Sequence, residues 1–231
     1  MAQKNVNQEE VVVAEVVSKT EKFFEENGKA VIIALVVLVA VVAGGWFYKY
    51  FAIDKNQEAA SELIIAAQDR FAGETPDYAL ALNGDESGAG FLDVIEQYGS
   101  TDAGNIACHY AGICYLNLGD TENAKKYLAA YDATAGIPNA VINAQCFGLQ
   151  GDIMCDEQNY EGAVEMYKKA VAQSDNSLTA PMYLKKMGLA YEALGNYTEA
   201  IAAYKTIEEQ YPASMEGRDI AKFIGAAEQL Q

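Results

Sequence analysis

Residues 30 to 48 lie between Lys29 and Lys49 and carry no charge. At about 1.5 Å of rise per residue, a helix of this length covers about 28 Å, close to the thickness of a hydrocarbon layer. A surface helix of a soluble domain would show a polar face every three or four residues, and this stretch shows none. In lipid every backbone group must be satisfied inside the segment, which a helix does alone. Trp46, Phe47, Tyr48, Tyr50 and Phe51 gather at one end beside Lys49, as in an aromatic belt with a cation reaching for water. The run therefore predicts a transmembrane helix over 29–51, with Lys29, Trp46, Tyr48, Lys49 and Tyr50 at the interfaces. A cleaved signal is the rival reading. It wants a short basic leader and an apolar core of about 7 to 15 residues. The leader here is long and net acidic, the core is longer, and bulky aromatics directly follow the small residues of 40–45.

The flanks set an expected orientation. Lys19, Lys22 and Lys29 precede the run, and Lys49 and Lys55 follow it. That excess predicts a cytoplasmic N-terminus, with the C-terminal part held outside the cytoplasm. Within residues 1–28, Val13, Val16, Val17, Thr20, Phe23 and Phe24 share one helical face. Glu15 with Lys19, and Lys22 with Glu26, pair at i, i+4 on the other. An amphipathic helix over about 8–26 is expected, lying on the membrane surface or docking a partner, and ending at Asn27-Gly28.

Charge narrows the partners. Net charge is −17. Residues 1–29 hold four Lys and six Glu and the run is neutral, so −15 falls on residues 49–231. Such a surface excludes nucleic acid and anionic lipid headgroups as ligands, since both require clustered cations.

Beyond the run the chain repeats itself. Three segments, starting at Asn105, Ala144 and Pro181, carry a Gly (Gly112, Gly151, Gly188) followed twelve positions later by an Ala (Ala124, Ala163, Ala200). Four further on comes a bulky residue, Leu128, Tyr167 or Tyr204. Tyr115, Met154 and Tyr191 stand three after each Gly. Two antiparallel helices approach closely only where side chains are small, so each Gly is expected to meet its Ala. The stretches "NLGDTE", "DEQNYE" and "ALGNYT" between them suit the turns of helical hairpins.

These spacings resemble the tetratricopeptide repeat family, whose unit is about 34 residues long. The third segment is the closest, with Gly188, Tyr191, Ala200, Tyr204 and Pro212 in family positions, Leu184 where an aromatic is usual and Met187 for Leu. The resemblance covers residues 105–214 and implies an all-α chain: a transmembrane helix, then an α-solenoid of three hairpins. Residues 52–104 read as a linker helix and a degenerate first repeat, with "GFLDVIEQYGST" mirroring a second helix and "ETPDYALALNGDESGAG" a loop or weak helix. Residues 215–231, with Ile220, Phe223, Ile224 and Ala227, read as the capping helix an open stack needs. The layout also resembles YfgM-like single-span proteins of the Gram-negative inner membrane, accessory to the Sec translocon. That likeness implies work beside periplasmic chaperones on emerging chains.

Chemistry is scarce. His109 is the single histidine, at a position that usually faces the groove of such a stack, where a triad or zinc site would need partners for it. Cys108, Cys114, Cys146 and Cys155 contain no C-x-x-C pair. They read as small core residues, or as a Cys108–Cys146 bridge between repeats in an oxidising compartment. "NGDESGAG" lacks the Gly-Lys-Ser/Thr ending of a phosphate loop. No catalytic residue, metal site or cofactor is expected, and no small-molecule substrate. Family groove positions carry over to Ile106, His109, Ile113 and Leu116, to Gln145, Asp152, Cys155 and Asp156, and to Met182, Lys185, Leu189 and Glu192. Two readings of them stand: they line a groove for a peptide with apolar and basic side chains, or they pack against a neighbouring helix or the chain's own cap. The expected function is a membrane-anchored, non-enzymatic adaptor for translocon subunits, a periplasmic chaperone or an unfolded client. The alternatives are a structural scaffold of another envelope assembly and a membrane-held regulator.

Overall fold

The computed structural model describes residues 26–50, 55–133, 137–173 and 175–231. The helix expected over 8–26 lies, but for its last residue, outside the described residues, as does Phe51. The chain divides into two compact units at residue 55.

In the first unit, α1 (Glu26–Tyr48) is long and apolar enough to cross a membrane, and none of its apolar stretch is buried. Trp46 and Tyr50, one turn apart, stack with ring centroids 5.6 Å apart and build the aromatic end. Asn27-Gly28 does not end a helix, as the sequence led us to expect, but lies within α1. One Gly weakens a helix by only about 0.5–1 kcal/mol, which the apolar run that follows offsets.

The second unit is an α-solenoid. Helices α2 (Lys55–Ala72), α3 (Tyr78–Asn83) and α4 (Phe91–Tyr98) precede three hairpins: α5 (Asp102–Asn117) with α6 (Thr121–Ala130), α7 (Ile137–Asp156) with α8 (Tyr160–Gln173), and α9 (Thr179–Ala193) with α10 (Tyr197–Gln210). Helix α11 (Ile220–Leu230) closes the series. From α3 onward each helix packs on the next. Among the described residues the only extended pairing is an isolated bridge between Asp85 and Gly88.

Local chemistry explains the helix starts. Asp77, Thr101 and Asp120 accept hydrogen bonds from the backbone N–H groups of Leu80, Gly104 and Asn123 and so cap α3, α5 and α6. The hairpin turns need a left-handed residue. Gly119 and Gly195 supply it with φ of 79° and 74°, while the middle hairpin uses Gln158 with φ of 60°. Before the hairpins, Arg70 organises the glycine-rich loop. Its guanidinium donates to Gly88 O (3.0 Å), Ala89 O (3.3 Å), Asp85 (2.6 Å) and Ser87 Oγ (3.0 Å). Phe71 and Tyr110 meet edge to face at 4.9 Å, and Phe91 stacks on Tyr110 at 5.3 Å, joining α2, α4 and α5 in one core.

In each hairpin the bulky residue, rather than the Ala expected from spacing, comes nearest the glycine. A Cβ on Gly112 would fall 2.6 Å from Leu128, one on Gly151 2.6 Å from Tyr167, and one on Gly188 2.2 Å from Tyr204. The glycine is a notch for the bulky residue sixteen positions on. Residues four apart share a helix face, so each Ala lies in the same interface beside that side chain, and all three alanines are fully buried.

Two substitutions test this account in opposite directions. Gly188→Ala forces a methyl group against the Tyr204 ring and should lower unfolding free energy by about 1–3 kcal/mol. Gln158→Gly relieves a left-handed side-chain residue and should raise it by about 0.5–1 kcal/mol. Denaturant unfolding of the detergent-solubilised chain, followed by circular dichroism, reads both.

Candidate functional site

The candidate groove positions belong to the first helix of each hairpin, α5, α7 and α9. The structure disposes of them unequally. On α5, Ile106 and Leu116 are half-buried and packed on two separate core clusters, and Ile113 is half-buried. His109 is the clearest departure from expectation: it is 1% exposed and lines no surface. Its ring lies 5.5 Å from that of Tyr110 and 5.8 Å from that of Tyr131. Tyr131 follows α6 and covers the position that a regular groove would leave open. Burial holds the His109 pKa down to about 4, with a side-chain hydrogen bond to Gln145 of α7 opposing the shift.

On α7, Asp152 is engaged internally. The Tyr167 hydroxyl donates to it at 2.7 Å, and the Lys186 ammonium of α9 donates to its two oxygens at 2.8 and 2.6 Å. Burial, above all, raises the Tyr167 pKa, so the phenol remains a donor. Cys155 is half-buried with its sulfur 3.5 Å from the same hydroxyl. Gln145 and Asp156 are exposed.

On α9 the pattern recurs. Glu192 accepts a hydrogen bond from the Tyr204 hydroxyl at 2.9 Å. Lys185 is turned toward α11, its ammonium 4.2 Å from the centre of the Phe223 ring. Met182 packs against the core around Tyr183. Leu189 is the apolar exception, 43% exposed. Of the two readings of these positions, Lys185 follows packing against the cap, Asp152 and Glu192 serve the interior, Gln145 holds His109, and Leu189 with Asp156 remains open to a partner.

Several residues at this face carry no motif and were invisible to spacing. Tyr183 of α9 fills a notch at Gly148 of α7, where a Cβ would lie 2.0 Å from its ring. It stacks on Tyr167 with centroids 6.4 Å apart. The Tyr131 hydroxyl donates to Asn143 at 2.6 Å, and the Asn143 amide donates to Gln173 at 3.0 Å. Gly148 alone offered a hint, as a second small residue three before Gly151.

The cysteines are thiols. Cys108, Cys114 and Cys146 are buried. The Cys146 thiol donates to Leu128 O at 3.4 Å, beside a Gln150 amide at 3.3 Å from the same carbonyl. Burial pushes Cys114 up to about 12 and Cys146 up to about 11, far from the range of a reactive thiolate. Among the described residues no three His, Cys, Asp or Glu side chains gather as a metal site would require.

The tetratricopeptide repeat model matches residues 109–131 and 186–214, the cores of the first and third hairpins. Both stretches are similar to tetratricopeptide repeats. Stacks of such hairpins present extended binding surfaces to other proteins, and an adaptor role in protein–protein interaction follows. Six solved chains are similar to this one. One is the crystal structure of MamA, 17% identical, with the match covering 61% of this chain and 88% of that one at a TM-score of 0.40. No curated protein matches the chain.

The Asp152 network separates packing from charge. Asp152→Ala strands the Tyr167 hydroxyl and should destabilise the second unit by about 1–3 kcal/mol. Lys186→Met removes a partly exposed ion pair and should cost only about 0–1 kcal/mol. A double-mutant cycle in denaturant gives the coupling between them, expected below about 1 kcal/mol.

Proposed function

We propose that the chain is a membrane-held adaptor whose repeats work in the periplasm beside the protein-export channel, with translocon subunits, a periplasmic chaperone or an exported chain as partners. The observation that carries this reading is the combination in one chain of tetratricopeptide repeats and an apolar helix with no buried face. An unburied helix of this composition needs lipid around it. Lys29 at one end and Trp46, Tyr48, Lys49 and Tyr50 at the other would meet the two interfaces, and the lysine excess before α1 supports an N-terminus in the cytoplasm. The layout of one span followed by repeats supports the YfgM-like comparison.

The repeats would bind without catalysing. The buried thiols are protonated, His109 is enclosed, and Asp152 and Glu192 accept hydrogen bonds from core tyrosines. The candidate positions left exposed for a partner include apolar Leu189 on α9 and acidic Asp156 on α7. They would suit a segment with an apolar anchor and basic flanks. The engagement of Asp152, Lys185 and Glu192 inside the domain favours one rival, a scaffold that contacts no client through this face.

A photo-reactive residue at position 189, in intact membranes, tests the assignment. Capture of a translocon subunit, an envelope chaperone or an exporting chain is the expected result, weakened several-fold in the photo-reactive chain when Asp156 is replaced by Lys. Capture of cytosolic proteins alone would overturn it, as would release of the chain by alkaline carbonate. Protease added to spheroplasts should remove residues 52–231, and protection there would reverse the orientation.

A further inference from the structure

The junction between the first two hairpins holds a group that binding does not use. His109 lies on α5 where the first hairpin meets α7, beside Tyr131 that follows α6; it is 1% exposed and bonded to the Gln145 side chain of α7. Its Nδ1 has no hydrogen-bond partner among the described residues. The titratable groups about it are Cys108 and Tyr110 on α5, Tyr131 with the exposed Asp132 after α6, and Cys146 next to Gln145 on α7. Burial and the Gln145 hydrogen bond are what act on its titration among the described residues. The following junction is built otherwise. Tyr183 occupies the Gly148 notch and Lys186 pairs with Asp152 at 2.6 Å, so that joint closes around a satisfied charge pair.

We propose that His109 is a proton-operated latch: protonation opens the α5–α7 junction and frees the first hairpin from a block, α7 to α11, that stays folded. The cause is the orphaned nitrogen. A protonated ring would place a second N–H donor and a full charge where neither an acceptor nor a carboxylate waits. The proton is therefore taken up only by the open junction, where water reaches the ring. A histidine whose closed-state pKa is depressed binds more protons when open, so closure is complete above about pH 6.5 and is lost as pH falls toward about 4. With an ordinary imidazole in the open form, the open population rises about 20-fold between pH 7 and pH 5. The inference rests on the junction's geometry and is independent of where the repeats reside.

The test uses the full chain in detergent micelles. His109 is the single histidine, so any imidazole resonance of a histidine-labelled sample belongs to it. Its midpoint should lie well below 6.5. Amide exchange, corrected for the intrinsic pH dependence, should rise about 20-fold in α5 and α6 from pH 7 to pH 5, with α7 to α11 unchanged. His109→Gln, which keeps an amide for Gln145 but does not titrate, should abolish that rise. A histidine midpoint of 6.5 in the folded chain, an undiminished pH response in H109Q, or simultaneous loss of α9–α11 overturns the proposal. Should H109Q fail to fold at neutral pH, the wild-type midpoint and exchange map decide by themselves.

Discussion

A bulky side chain entering the space of a missing one closes each hairpin, and much else in the second unit follows from that contact. Gly112 receives Leu128, Gly151 receives Tyr167 and Gly188 receives Tyr204. Close approach of two backbones gains dispersion along the whole interface, which a single methyl group would push apart. The choice of filler then sets the polar chemistry. Leu128 needs nothing more. Tyr167 and Tyr204 bring hydroxyls that must find acceptors when buried, and they take Asp152 and Glu192. A packing decision in the core thus removes two carboxylates from the face where a partner would bind.

The same logic governs the cations. Arg70 is held by the loop over 85–89, Lys125 pairs with Glu157 at 2.7 Å, Lys186 with Asp152 and Lys205 with Glu228 at 3.5 Å. Lys125 and Lys205 reach the neighbouring element, while Arg70 and Lys186 reach past one, from α2 to the loop before α4 and from α9 to α7. Acids outnumber the cations that remain exposed, such as Lys126 and Lys169, in keeping with a net charge of −17. The domain would repel polyanions and attract basic segments through long-range field rather than through a dedicated pocket.

The ends of the stack show how an open repeat array is finished. Ile220, Ile224 and Ala227 of α11 are buried against the last hairpin, and Phe223 approaches Tyr204 with ring centroids 5.7 Å apart. Lys185 lays its ammonium over that same Phe223. At the other end, the aromatic cluster of Phe71, Phe91 and Tyr110 covers the first hairpin. Each end supplies the apolar surface that a further repeat would have provided.

The sequence by itself determined α1 and the hairpins. Nineteen uncharged residues with no polar face fit a single long apolar helix, and α1 is one. The Gly, Ala and bulky positions repeat because each hairpin solves the same packing problem with residues close in the chain. Local chemistry also foretold the turns at Gly119 and Gly195, though not that Gln158 would adopt a left-handed backbone in the middle one. Only the tertiary structure decided which residue faces each glycine, that His109 is enclosed by Tyr131 and α7, and that Asp152 meets Lys186 across 34 positions. Those outcomes turn on which side chains fall opposite one another when hairpins stack. Spacing within one helix carries no information about the rotation of its neighbour, so a position that faces a groove in a regular stack can lie inside the core here.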